Sequence, residues 1–348
     1  MMTQTSIKPS EYFSKVLTGT AMGVIIGVAP NAVLSAILRA LPQVPVTISL
    51  LQIVSIFQMA TPFLVGAIVA FQFGFKPLTQ MVVAASSFIA SGVLKFDDSI
   101  GKFAGAGTGD LINTMITAAI AVGMILLIKD KFGSMEIIAM PVVIGVLASF
   151  IGLTLLPIVS GITLSIGAVI NSFTSLQPIL MSILIAVSFA ALLTTPVSAI
   201  AVGLAIQLSG VASGAAAMGV AATTLTLVVH SFKVNKPGIT IAVGTGGMKL
   251  MMPNLFKYPI VLLPYVTTAA ISAIPVYLFS ISGTPQTAGF GVVGLVSPLA
   301  SIDAGLSIPL AVLSWLVVPV AAAMLSQFVY DKVLHIYDSK VVFKYLGQ

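Results

Sequence analysis

Two Thr-Pro steps interrupt apolar stretches in the second half of the chain: Thr194-Thr195-Pro196-Val197-Ser198 and Gly283-Thr284-Pro285-Gln286. Proline removes a backbone donor and clashes with the preceding helical turn. At membrane depth lipid cannot satisfy the freed backbone groups, so such breaks persist where protein or a watery cavity does. Broken helices in membrane carriers point their half-helix N-termini at polar or anionic ligand groups near the midplane. Thr195, Ser198, Thr284 and Gln286 supply hydroxyls and an amide at the two breaks. They are uncharged, which suits a hydroxyl-rich solute better than an ion. Asn171, Gln177 and Thr194 extend the same polar set. The competing explanation is a plain proline kink, with Ser and Thr spent on interhelical hydrogen bonds worth about 1 kcal/mol each.

A second group lies further along, in the lysine-bearing, glycine-rich stretch Lys233 to Tyr258 that contains Gly244-Thr245-Gly246-Gly247. His230 precedes it and can accept a proton or contact a ligand; its ordinary alternative is a residue at the cytoplasmic edge of a span. Lys249 lies between Gly246-Gly247 and Met251-Met252-Pro253-Asn254. An ionisable residue in an apolar region is a site candidate, with snorkelling to the interface as the alternative. With Asn235 and Asn254, these residues would line the cytoplasmic side or hold an anionic group.

Other chemistries are excluded. The chain has no cysteine, hence no disulfide, thiolate metal site or thiol phosphocarrier. Two histidines and nine acids are too few for a multi-ligand metal centre. Asp110 and Asp303 read as helix caps. Gly244-Thr245-Gly246-Gly247 lacks the strand–turn–helix setting of a dinucleotide site. No catalytic residue, cofactor or metal is expected, and the net charge of +6 calls for no nucleic acid.

The elements that position these residues must lie in a bilayer. Of 348 residues, 58% are hydrophobic and 7% charged, with a mean hydropathy of +1.15; soluble domains carry about 25% charged residues. Apolar runs of about 20 residues, the length that crosses a ~30 Å hydrocarbon core, recur from end to end. They are apolar on every side, unlike the alternating strands of a barrel. The first run is too long for a cleavable signal peptide. The expected fold is all-α and integral to the membrane, with about eight to ten transmembrane helices plus two re-entrant hairpins.

Spans are expected at about 16–41, 46–73, 77–94 and 110–128, after a polar cytoplasmic lead-in over the first fifteen residues. Gly101 to Gly109 reads as a loop or a short re-entrant piece, and Lys129-Asp130-Lys131 closes the fourth span. The stretch 136–175, punctuated by Pro157 and Gly161, reads as a span followed by a second, oblique or interfacial helix. Then come 177–209 broken at Pro196, a span at 213–232, one at 259–281, a hairpin over 284–300, and a last span at 305–330. Four divisions follow: a scaffold or dimerisation half (1–135), a connecting span and linker helix (136–176), a substrate-binding half with the hairpins (177–330) and a tail (331–348). Lys8, Lys15, Lys76, Lys129 and Lys131 all fall inside if both termini are cytoplasmic; Arg39 and Lys95 fall outside.

Nearly the whole chain resembles the membrane (IIC) component of the bacterial phosphotransferase system, and more closely a divergent branch of the perfringolysin-regulator type. The resemblance rests on Thr194-Thr195-Pro196-Val197-Ser198, Asn235-Lys236-Pro237-Gly238, Gly283-Thr284-Pro285 with Ala288-Gly289-Phe290-Gly291, and Ser297-Pro298. It implies a homodimer in the bacterial plasma membrane whose substrate half moves against the scaffold half in an elevator-like cycle, carrying sugars or related polyols. Glucose-type members hold sugar hydroxyls with the glutamate of a Gly-Ile-Thr-Glu-Pro motif. Gly283-Thr284-Pro285 lacks that acid, and Gln286 is the nearest polar replacement. Phosphorylation-coupled uptake would require a separate cytosolic phosphocarrier. The rival reading is a membrane sensor that binds a similar ligand and signals to a regulator. An ion channel is disfavoured by the lack of an acidic ring or repeated filter.

Overall fold

A computed structural model describes residues 7–99, 101–105, 107–128 and 131–346. The first six residues of the expected lead-in, and Lys129-Asp130 at the end of the fourth span, lie outside the described residues. The chain forms two compact units. One comprises the residues up to Pro30 with Gln52–Ser160, the other Asn31–Leu51 with Gly161–Gln348.

The first unit is built on α1 (Pro9–Ala40) as far as Pro30, α2 (Pro45–Met59) from Gln52, α3 (Thr61–Gln72), α4 (Pro77–Ala90) and α5 (Leu111–Ile128). Helix α1 starts in the lead-in, so Lys15 and Glu11 pair at 2.9 Å on its first turns. Gly19, Gly23 and Gly27 recur every fourth residue and face Val69, Val65 and Thr61 of α3. A Cβ at Gly19 would stand 2.5 Å from the Val69 Cα. Small residues at this spacing let two backbones approach in lipid, where dispersion replaces the hydrophobic effect as the source of cohesion. Val65, Val69, Val83, Ala118, Ala121 and Ile144 are wholly enclosed and form the unit's core. Helices α2 and α3 form one apolar stretch bent by 45°.

Three expectations are corrected here. The stretch Gly101 to Gly109, expected as a loop or a short re-entrant piece, contains a strand. Lys102–Gly105 (β2) pairs antiparallel with Leu94–Asp97 (β1), in the register Phe96↔Phe103 and Asp97↔Lys102. The two phenyl rings meet edge-on at 5.3 Å, and Gly101 supplies the positive φ of the turn. The stretch 136–175 is one continuous helical run, Glu136–Ser175. It comprises α6 (Glu136–Ala139), a π-helical turn (Met140–Gly145), α7 (Val146–Ser172) and a closing 3-10 turn. Pro157 sits inside α7 without ending it, as prolines in membrane helices often do. Its 40 residues span roughly 60 Å at 1.5 Å per residue. Asp303, finally, is the last residue of a helix rather than its cap, whereas Asp110 does cap α5, accepting from the Asn113 N–H at 2.9 Å.

The second unit centres on α10 (Gly210–Ser231), which is buried along nearly its whole length. Its run of Gly, Ala, Ser and Thr permits this. Ala186 and Ala190 of α8 (Pro178–Leu192), Ala222 of α10, and Ala269 and Ala273 of α13 (Leu262–Leu278) form an alanine-lined contact with no exposure. Gly219 abuts the Ala186 carbonyl directly, and Thr223 donates to the Ala190 carbonyl at 3.2 Å. The chain between these helices forms α9 (Ala199–Ala205), α11 (Pro237–Gly244) and α12 (Met252–Lys257), and α14 (Val296–Asp303) follows α13. The last span runs Ile308–Val333, through α15 (Ile308–Val312) and α16 (Val318–Gln327) with a π-helical turn after each. Trp315 on this span donates to Ser301 at 3.0 Å and fixes α14. Helix α17 (Ser339–Val342) closes the described chain.

Among the described residues five helices are long and apolar enough to cross a bilayer, or six with the bent α2–α3 pair counted as one span. The shorter apolar helices Pro77–Ala90, Pro178–Leu192 and Val293–Asp303, with α1, supply the remaining material for the expected eight to ten. The chain is an all-α, multi-pass membrane protein with one small β-hairpin.

Candidate functional site

Helix α8 ends where Thr194-Thr195-Pro196 begins. Helix α9 restarts seven residues after Leu192, capped by Ser198, whose Oγ accepts from the Ala201 N–H at 3.2 Å. The break leaves carbonyls without helical partners. Lys249 supplies them: its Nζ donates to the Thr195 carbonyl and, at 2.9 Å, to the Val197 carbonyl. Lys249 sits in the 3-10 turn Met248–Met251, and burial lowers its pKa. The Thr195 hydroxyl is turned inward on its own break, donating to Leu192 O at 2.6 Å and accepting from Val197 N at 3.2 Å. Thr194 is fully buried and its hydroxyl has no partner among the described residues.

The second break is joined to the start of α10. Gly210 and Gly283 exchange two backbone hydrogen bonds, each 3.0 Å, and Ser213 donates to the Thr284 carbonyl at 2.6 Å. The Thr284 N–H is taken by the Thr287 hydroxyl at 2.9 Å. Thr284 and Gln286 are exposed.

The two breaks meet through glycine. A Cβ on Gly203 would lie 2.8 Å from the Ala288 Cβ, and one on Gly289 would lie 2.5 Å from the Ile200 nitrogen. Helix α9 and the segment after Pro285 therefore touch backbone to backbone. Thr195 and Ser198 stand at the N-terminal end of α9, and Thr284 and Gln286 on the segment packed against it. Sequence reasoning selects both breaks and includes Gly289 in a motif, but misses Gly203, which with Gly289 joins them, and Ser213, which ties the second break to α10. Both are small residues, visible in the sequence but without a partner until the chain is folded.

A cavity of about 360 Å³ opens beside the turn that follows α9, lined by Asn171, Thr174, Met181, Gln207, Leu208 and Ser209. Its polar groups are all uncharged, and Asn171 belongs to the polar set singled out above. Gln207 holds a positive φ of 53° there, a conformation uncommon outside glycine.

His230, Asn235 and Asn254 converge elsewhere, on the C-terminal segment. Thr226 O can only accept, so the His230 Nδ1 bonded to it at 2.8 Å carries the proton. Nε2 then accepts from the Tyr337 hydroxyl at 3.2 Å. The imidazole lies 4.3 Å from the Phe343 ring. Asn235 donates to the Phe343 carbonyl at 2.8 Å and accepts from the Tyr345 N–H at 2.8 Å. Asn254 donates to the Val342 and Lys344 carbonyls at 2.8 and 2.7 Å. The eight candidates thus sort into Thr195, Ser198, Lys249, Thr284 and Gln286 on or against the paired breaks, and His230, Asn235 and Asn254 around the tail. Among the described residues no three of His, Asp and Glu stand close enough to hold a metal ion.

A family model described as "Phosphotransferase system, EIIC" matches residues 14–343. No curated protein and no solved structure matches the chain.

Proposed function

Because the chain belongs to the phosphotransferase system EIIC family, the membrane permease component of that system, we propose that it carries a small polar, carbohydrate-like solute across the bacterial plasma membrane. The observation that supports this most is the joining of the two Thr-Pro breaks by Gly203 and Gly289. It brings uncharged hydroxyls and an amide to one packed, irregular region, the chemistry that recognises sugar hydroxyls rather than ions. Thr284 and Gln286, exposed on the second break, are the first contacts; Gln286 takes over hydroxyl binding where glucose-type relatives use a glutamate. Thr195 and Ser198 shape the other break, and Lys249 holds it. The cycle is elevator-like, in a homodimer, and a separate cytosolic phosphocarrier serves any phosphorylation.

Purified protein screened against free sugars, polyols and their phosphates should be stabilised by a free sugar or polyol. At a hundredfold excess over Kd a one-site ligand adds about 2.7 kcal/mol to the folded state. Thr284→Ala with Gln286→Ala should weaken that binding about tenfold, the equivalent of roughly 1.4 kcal/mol, while the unliganded melting temperature stays unchanged. Stabilisation by phosphorylated compounds alone would refute free-sugar uptake, and an undiminished affinity in the double variant would move the site elsewhere.

Both termini are proposed to be cytoplasmic. A reporter fused after Gln348 should be active inside the cell, and cross-linking in membranes should trap dimers. An externally active reporter would overturn the topology, and monomers alone the dimer.

A further inference from the structure

The C-terminal segment is held in the way proteins hold peptide ligands. Three successive carbonyls, those of Val342, Phe343 and Lys344, accept from two asparagine side chains, and the next N–H, that of Tyr345, returns a hydrogen bond to Asn235. Such contacts read backbone and not side chain. Identity is supplied by Phe343, which is 0% exposed. Its ring lies against His230 at 4.3 Å, Tyr337 at 5.9 Å and Tyr265 at 6.3 Å.

The attachment is also local. The connecting residues Val333 to Ile336 are exposed, and His335 among them takes a positive φ of 47°, uncommon for a residue other than glycine. Beyond the four-residue α17, the segment has no regular structure of its own. The fit is incomplete, since Asn254 Oδ1, the Tyr265 hydroxyl and the Ser339 hydroxyl are buried around it without hydrogen-bond partners among the described residues. These hydrogen bonds and the burial of Val342, Phe343 and Tyr345 are opposed by the entropy of ordering the segment, a term of similar size. Docking and release are therefore closely balanced.

We infer that the cleft formed by His230, Asn235, Asn254 and Tyr265 is an exchangeable peptide-binding site. Its resident ligand is the chain's own segment Asp338–Leu346, anchored by Phe343. Release would uncover three polar side chains and a tyrosine at the end of α10, beside Lys233 and Lys236.

The chain has no cysteine, so single-cysteine labelling is clean in the full-length protein. Val342→Cys is buried at a position 5% exposed, whereas Lys340→Cys is exposed. With a water-soluble maleimide, Val342→Cys should react at least about tenfold more slowly, the ratio for a tail docked roughly 90% of the time. Adding a synthetic peptide of residues 337–348 in excess should displace the tail and raise the Val342→Cys rate. The same peptide with Phe343→Ala should not. Trypsin cleavage after Lys344 in the unsubstituted chain gives a second readout, because the Lys344 carbonyl is held by Asn254; the peptide should accelerate it too. Equal labelling of the two cysteines without peptide would mean the segment is not docked. Slow labelling and slow cleavage that no concentration of peptide changes would make the segment a fixed part of the fold. Either result would overturn the proposal.

Discussion

Replacing Lys249 with methionine should destabilise the region around the Thr195 break by about 3 kcal/mol and weaken solute binding at least about tenfold. Methionine keeps the apolar stem and removes the amine that donates to the Thr195 and Val197 carbonyls. Hydrogen bonds from a charged group contribute about 1.5–3 kcal/mol each. Removing two would cost more than 3 kcal/mol, but the variant recovers part of the desolvation that the buried ammonium suffers. The remainder is felt where the chain has least alternative support, because Pro196 offers no N–H and α9 is only seven residues long. Lys249→Arg should not restore the wild-type value, since the larger planar guanidinium does not fit a buried position shaped around a compact ammonium. Lys233→Met, at an exposed position on the neighbouring segment, should change neither quantity. Thermal unfolding in detergent and solute titration measure both. A Lys249→Met protein with unaltered stability and affinity would mean that the ends of α8 and α9 hold the break without the lysine.

The break and its lysine were separately legible in the sequence, and the bond between them was not. Thr194-Thr195-Pro196 stands out because a proline interrupts an apolar run, and Lys249 because a charge does. Nothing in their 54-residue separation indicates that one satisfies the other. The membrane spans are legible for the same one-dimensional reason, as runs of about 20 apolar residues. Proline and glycine are weaker guides within such runs. Pro157 suggests a division of 136–175, yet the helix continues past it, because in lipid the cost of opening further backbone exceeds that of one missing hydrogen bond. The hairpin at 94–105 escapes a reading tuned to long apolar runs, since its strands are four residues each and Phe96 and Phe103 declare themselves only as a cross-strand pair. His230, Asn235 and Asn254 are visible as polar residues in apolar surroundings. His230 meets the Tyr337 hydroxyl 107 positions away, and Asn235 and Asn254 meet backbone carbonyls 108 and 88 positions away; a backbone atom carries no sequence signal.

A valine at Gly289 should abolish solute binding while leaving the rest of the membrane fold assembled. The contact at Gly289 is with backbone: the added Cβ would sit 2.5 Å from the Ile200 nitrogen and 2.6 Å from its Cα. A flexible side chain could turn aside, but the first turn of α9 cannot. The segment after Pro285 must therefore move away from α9, and Thr284 and Gln286 with it. Overpacking typically costs about 1–3 kcal/mol. The alanine-lined contact of α8, α10 and α13 does not involve Gly289, so the cost should remain local. The expected result is a protein that inserts, purifies and melts cooperatively, with a melting temperature lowered by a few degrees for a loss of about 1–3 kcal/mol, and that no solute stabilises. Gly161→Ala is the matched control, since nothing lies within 4 Å of a Cβ there and alanine favours helix over glycine by about 1 kcal/mol; its binding should be unchanged. Gly203→Val presses on the same contact from the other side, toward the Ala288 Cβ at 2.8 Å. That neighbour is a single methyl, so Gly203→Val should weaken binding less than Gly289→Val does. If both variants bound solute as the parent does, the close packing of the two breaks would be incidental to recognition, and the uncharged cavity beside Asn171 and Gln207 would become the place to look for the solute.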